Sequence, residues 1–155
     1  MNSALIRSLG RFALAFLCLF CYSAHAQTPT PGSGFTLRVR LVRASPDQAP
    51  TDPDLASLAD LLRNNMSFRS FRLLDSQSVP LPLPTARTLH FSGRFRLALE
   101  GPPNTLNVTL ARDRQTILKT RAVLRPGAPL VIGGIPDGSG GTLLFVLDLP
   151  EGPSP

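Results

Sequence analysis

The chain has 155 residues, 16 of them basic and 10 acidic, for a formal net charge of +6. Both cysteines (Cys18 and Cys21) and the single tyrosine (Tyr22) fall within the first 26 residues. Once that stretch is removed, thiol nucleophiles, disulfides and thiolate metal sites are all excluded.

Removal is what the N-terminus predicts. Arg7 and Arg11 form a basic n-region, Phe12 to Tyr22 is an uncharged apolar run, and Ala24-His25-Ala26 places small residues where a signal peptidase reads. Cleavage is expected between Ala26 and Gln27. The apolar run is about half the length that spans a bilayer. Leu17 and Phe20 precede the two cysteines where a lipobox requires Gly, Ala or Ser, so no lipid anchor is expected. The processed protein is expected in the periplasm or outside the cell, with no membrane span.

Arg7 and Arg11 leave with the signal, so 14 basic residues face 10 acidic ones in the remaining 129. Thirteen of the 14 are arginine, whose planar fork suits carboxylates and phosphates. A nucleic-acid partner is not expected, because export separates the protein from the cytoplasm and no Tyr or Trp remains for base stacking. The length suits one hydrophobic core. The expected organisation is a signal peptide at 1–26, a flexible Pro/Gly/Ser/Thr linker at 27–34, a single domain at 35–150 and a disordered tail at 151–155.

Phe35, Leu37, Val39 and Leu41 alternate with Thr36, Arg38 and Arg40, which predicts a strand with one wet face. Residues 44–52 read as a loop. Asp52 can cap a helix, Pro53 suits its first position, and Asp54 favours the positive end of the dipole. Leu55, Leu58, Leu61 and Leu62 then recur at helical spacing, and Asn64-Asn65 ends a helix of roughly three turns that must pack on a sheet. Phe68 to Leu74 reads as the second strand. Val79 to Pro84 is interrupted by proline, so it is an edge or an extended connection.

The clearest alternation runs from Leu89 to Leu99 and predicts one long strand. Leu89, Phe91, Phe95, Leu97 and Leu99 face one way, and Gly93 marks a bulge or bend. Gly101 to Asn104 turns the chain into a strand carrying Leu106, Val108 and Leu110, so a hairpin is expected. Arg112 to Gln115 makes the next turn, Ile117 to Leu124 pairs back, and Arg125 to Ala128 turns again before Pro129 to Ile132. A glycine-rich stretch, 133–141, precedes the final apolar strand, Leu143 to Leu149. The predicted fold class is α+β, a mainly antiparallel sheet of about six to seven strands with one short helix packed on it.

Catalytic chemistry finds little support. A Ser-His-Asp arrangement would depend on His90, the sole histidine after cleavage, which lies on the polar face of a strand. Ser139 sits in a GSGG turn rather than in G-x-S-x-G. Asp47, Asp52, Asp54 and Asp60 lack the alternating register of a calcium loop, and helix capping accounts for two of them. Glu100 and Asp148 are isolated, so no glycosidase pair is legible. Gly133-Gly134 lacks the P-loop pattern and no helix follows it. No metal and no cofactor is expected. Two glycosylation sequons, Asn65-Met66-Ser67 and Asn107-Val108-Thr109, carry little weight in a chain expected to be bacterial.

The arginine pattern is the remaining signal. Arg38 and Arg40 share the wet face of the first strand, Arg94 and Arg96 that of the longest, and Arg69 and Arg72 lie near the second. If those strands are neighbours, the six form a cationic stripe, which like-charge repulsion disfavours unless an anionic or protein partner neutralises it.

Residues 120–149 resemble the C-terminal core strands of the bacterial secretins, the ring-forming outer-membrane channels of type II and type III secretion and type IV pili. The resemblance lies in the turn Arg125-Pro126-Gly127, in Leu130-Val131-Ile132-Gly133-Gly134-Ile135 and in the apolar strand from Leu143 to Leu149. It implies a standalone relative or accessory subunit, not a complete channel. The expectation is therefore a non-enzymatic envelope protein that binds another envelope protein, by strand addition or by pairing with acidic groups. The alternative is a small periplasmic hydrolase or carbohydrate-binding enzyme using His90.

Overall fold

A computed structural model describes residues 35–150. The expected signal peptide, linker and tail lie outside the described residues. Eight strands are present: β1 (Thr36–Ser45), β2 (Ser70–Pro80), β3 (Leu83–Phe91), β4 (Phe95–Gly101), β5 (Leu106–Arg112), β6 (Gln115–Ala122), β7 (Leu130–Pro136) and β8 (Thr142–Asp148). One helix, α1 (Ala56–Asn65), follows a single 3-10 turn at Pro53–Leu55. The protein is mostly antiparallel β with one short helix, as its patterning implies. The strands form two sheets rather than one, with orders β2-β1-β8-β7 (sheet I) and β3-β4-β5-β6 (sheet II).

The two sheets pack face to face. Leu37, Val39 and Leu41 of β1 and Phe145 and Leu147 of β8 meet Leu89, Phe91, Phe95, Leu97, Val108 and Leu110 of sheet II, all buried. Phe145 stands edge-on to Phe91 and Phe95, with ring centroids 5.3 and 5.6 Å apart. Edge-to-face rings align positive edges with negative faces, which adds to the burial of three large side chains. A second cluster lies on the opposite side of sheet I, where Leu55, Leu58 and Leu62 cover Val42, Ala44, Phe71, Leu144 and Val146. Asp52 starts this helical segment as its spacing predicts, accepting from the Asp54 amide at 3.2 Å.

Several expectations need correction. The strand expected over Leu89 to Leu99 is a hairpin: Ser92–Arg94 forms a tight connection, and Phe91 stands directly opposite Phe95. Gly93 and Arg94 both take positive φ, 74° and 64°, which turns the chain within three residues. The two phenylalanines are four positions apart and direct cross-strand partners, so both face inward and the alternation continues across the turn. The second strand begins near its predicted start but continues to Pro80 through the polar residues Asp75 to Ser78. Phe71 and Leu73 are the residues of β2 that join the cluster beneath α1, and past them Ser76 and Ser78 face solvent. The first strand does not have one wet face: Arg40, read as solvent-facing, is 3% exposed.

All four edge strands carry a register irregularity. Leu74 is the extra residue of β2 opposite β1, Ile117 that of β6 opposite β5, and Gly134 that of β7 opposite β8; β3 slips against β4 between Leu83 and Arg87. Bulges bend an edge away from fortuitous pairing. They also explain why Leu74 and Ile117 are among the exposed large hydrophobic residues. No helix among the described residues is long and apolar enough to cross a membrane.

Candidate functional site

The six arginines singled out in the sequence do not form one stripe, because β1 and β4 belong to different sheets. Arg38 is exposed on β1 opposite Ser78 and Asp148. Arg40 is buried beneath α1, where Nη2 donates to Asp148 Oδ2 at 2.9 Å and Nη1 to the Asp54 carbonyl at 3.2 Å. The bond to the Asp54 carbonyl ties the helix entrance to sheet I, while Arg40 Nε and Asp148 Oδ1 are left without protein partners. Arg69 precedes β2 and is exposed, and Arg72 stands opposite Arg43.

Arg43 is drawn away from Arg72 by the β7–β8 turn. Its Nε donates to Asp137 Oδ2 at 2.5 Å and its Nη2 to Ser139 Oγ at 2.7 Å. Asp137 Oδ1 accepts from the amides of Ser139 and Gly141 at 2.8 and 2.9 Å. Hydrogen bonding from the Ser139 amide first, then from Arg43, holds the Asp137 carboxyl well below the usual carboxylate range. Gly141 is required here, because a Cβ would lie 2.6 Å from Asp137 Oδ2 and 2.9 Å from the Ala44 carbonyl. Ser139 accepts from a guanidinium, which has no lone pair to take a proton, and donates to a carboxylate whose basicity is lowered by the same hydrogen bonds. The cluster is a turn brace.

His90 is exposed on the outer face of sheet II, with Arg96 as its cross-strand neighbour, and its carbonyl accepts from Gln77 Nε2 at 2.6 Å. That bond joins β2 to β3 along one side of the sandwich. Among the described residues, no three of His, Cys, Asp and Glu gather closely enough to hold a metal ion.

The opposite side is open. Between β6, the last strand of sheet II, and β7, the last of sheet I, lies a groove of about 870 Å³. Its walls are the β5–β6 turn, the start of β6 through the half-exposed Ile117, and the bulged end of β7 at Gly134, Ile135 and Pro136. β6 differs from the other edges. β2 contains Pro80, β3 contains Pro84, and β7 contains Gly133, Gly134 and Pro136, whereas β6 has neither proline nor glycine. Beyond its bulge, Leu118 to Ala122 runs in regular register against β5. Its outer backbone is thus the one edge where every residue retains an amide and a side chain to pack.

Two arginines, Arg112 and Arg114, line this groove, and Arg94 and Arg96 contact the turn between them. The Asp113 amide donates to the Arg94 carbonyl at 3.1 Å, which ties the β3–β4 turn to the β5–β6 turn. Arg94 Nη1 lies 3.2 Å from Asp113 Oδ1, and Arg96 Nη2 donates to the Asp113 carbonyl. Arg112 is held over the Phe95 ring with its guanidinium carbon 5.0 Å from the centroid. Arg114 follows in the turn and forms no ion pair among the described residues. Arg94 and Arg96 thus both reach Asp113, in the turn whose flanking arginines, Arg112 and Arg114, line the groove. The sequence signal for this arrangement was the run Arg112-Asp113-Arg114, which by itself reads only as a turn. Comparison with protein-family models, with curated proteins and with solved structures gave no match to this chain.

Proposed function

We propose that this protein is a non-enzymatic binding module of the bacterial envelope, which holds an extended segment of a partner protein in the groove beside β6. The observation that carries this reading is the pairing of an open groove with the single edge strand free of proline and glycine. An added strand would gain main-chain hydrogen bonds from the β6 edge, and Ile117 and Ile135 would receive alternate side chains. The predicted export signal supports an envelope location, and the secretin-like segment at 120–149 supports a role in a secretion or pilus assembly. That segment includes the end of β6 and all of β7 and β8, so it supplies one wall of the groove.

The test is site-specific photocrosslinking in cells. A photoreactive residue at Ile117 should yield a discrete adduct with the same envelope protein in repeated experiments, and one at Asp60, on the exposed surface of α1, should not. Adducts from Asp60 with none from Ile117 would overturn the placement of the site.

A further inference from the structure

We infer that the groove selects extended segments bearing acidic residues at one end and an apolar residue further along, a specificity that rests on the binding role proposed above. The argument begins from charge. The groove wall carries two guanidiniums, from Arg112 and Arg114, and one carboxylate, that of Asp113, whose turn Arg94 and Arg96 also contact. Asp113 is already engaged by Arg94, so it leaves a surplus of positive charge at the groove mouth. Like charges held together repel, and the arrangement is relieved by anionic groups supplied from outside.

Arg112 is also pre-positioned by the Phe95 ring. A partner carboxylate there meets a guanidinium whose freedom is already restricted, and less entropy is lost on binding. The planar forks of Arg112 and Arg114 suit carboxylates in two-point contact.

The groove then distinguishes a peptide from a free anion or a lipid surface. Its arginine end passes directly into the β6 edge with Ile117, and Ile135 lies in the opposite wall. Side chains at alternate positions of an extended segment share a face and repeat about every 7 Å. A segment whose leading side chains are carboxylates would meet Arg112 and Arg114, and an apolar side chain two to four positions on would reach Ile117 and Ile135.

The experiment uses the processed protein and short synthetic peptides alternating valine with glutamate, or valine with glutamine, together with phosphatidylglycerol vesicles. Amide NMR shifts locate binding, and calorimetry measures it. The glutamate peptide should shift the amides of β6 and bind about tenfold more tightly than the glutamine peptide. Arg114→Gln, which removes no internal partner, should leave the spectrum of the free protein intact and remove most of that preference. Arg112→Gln with Arg114→Gln should abolish it. Raising the salt concentration should narrow the difference. Equal binding of the two peptides at β6 would overturn the acidic specificity and leave the groove reading standing. Absence of β6 shifts with both peptides would overturn both readings. Binding to vesicles through the same arginines, without peptide binding, would overturn this inference in favour of a lipid surface.

Discussion

Sheet I and sheet II are built from four strands each, yet they are buried differently. Sheet II keeps one face wet: Leu97, Leu99, Val108 and Leu110 point into the sandwich, while Arg96, Glu100 and Asn107 point out. Sheet I lies between sheet II and α1, so the centre of β8, from Leu144 to Leu147, is buried on both faces. A strand with one wet face alternates in sequence, and a strand with two dry faces becomes a continuous apolar run. β1 obeys neither pattern cleanly, because Arg40 occupies a covered position. Its charge is tolerated there because Asp148 and the Asp54 carbonyl meet it.

The comparison can be broken at that pair. Asp148→Ala leaves Arg40 buried without its counter-ion and should cost about 3 kcal/mol in chemical denaturation. Arg40→Met combined with Asp148→Leu should recover most of that loss, since an apolar pair of similar volume suits a covered face. If the double variant is as unstable as the single one, the pair contributes something other than neutralisation.

A pair of near-isosteric exchanges sharpens the contrast between the sheets. Val146→Thr introduces a hydroxyl beneath α1 and should destabilise by about 2 kcal/mol. Thr109→Val on the outer side of sheet II should change stability by less than about 0.5 kcal/mol. Equal effects in thermal or urea unfolding would mean that α1 does not seal its face of sheet I.

The smallest effect is confined to acid. Asp137 is held below its ordinary carboxylate range in the folded protein, so its contribution is complete at neutral pH. It should decline only as the pH falls below the unfolded value of about 3.9 and towards the folded one. The difference in melting temperature between the native protein and Asp137→Asn should therefore be constant from neutral pH to about pH 5 and shrink below about pH 4. A gap that widens on acidification would reverse the assigned sign.

Legibility in the sequence followed the range of the interactions. The helix start at Asp52-Pro53, the β4–β5 hairpin and the strand at β8 were readable because caps, turns and alternation act over a few residues. The Ser92–Arg94 turn escaped because an inward-facing residue stands at each end of a three-residue loop, which leaves the period of two undisturbed. The groove beside β6 escaped for a different reason. Its walls come from the β5–β6 turn and the bulged end of β7, which only tertiary packing brings together, and neither is distinctive alone.

The sequence by itself determined that the domain would be rich in antiparallel strands, with a single helix needing a sheet to cover. Periodicity and capping are local and survive in any arrangement of the strands. Only the tertiary structure decided that the strands divide between two sheets, that Arg40 lies beneath the helix, and that Arg94 and Arg96 of one turn meet Asp113 of another. Those outcomes depend on residues far apart in the chain, such as Arg40 and Asp148, 108 positions apart. Their pairing is selected by the packing of whole layers, and no local signal records it.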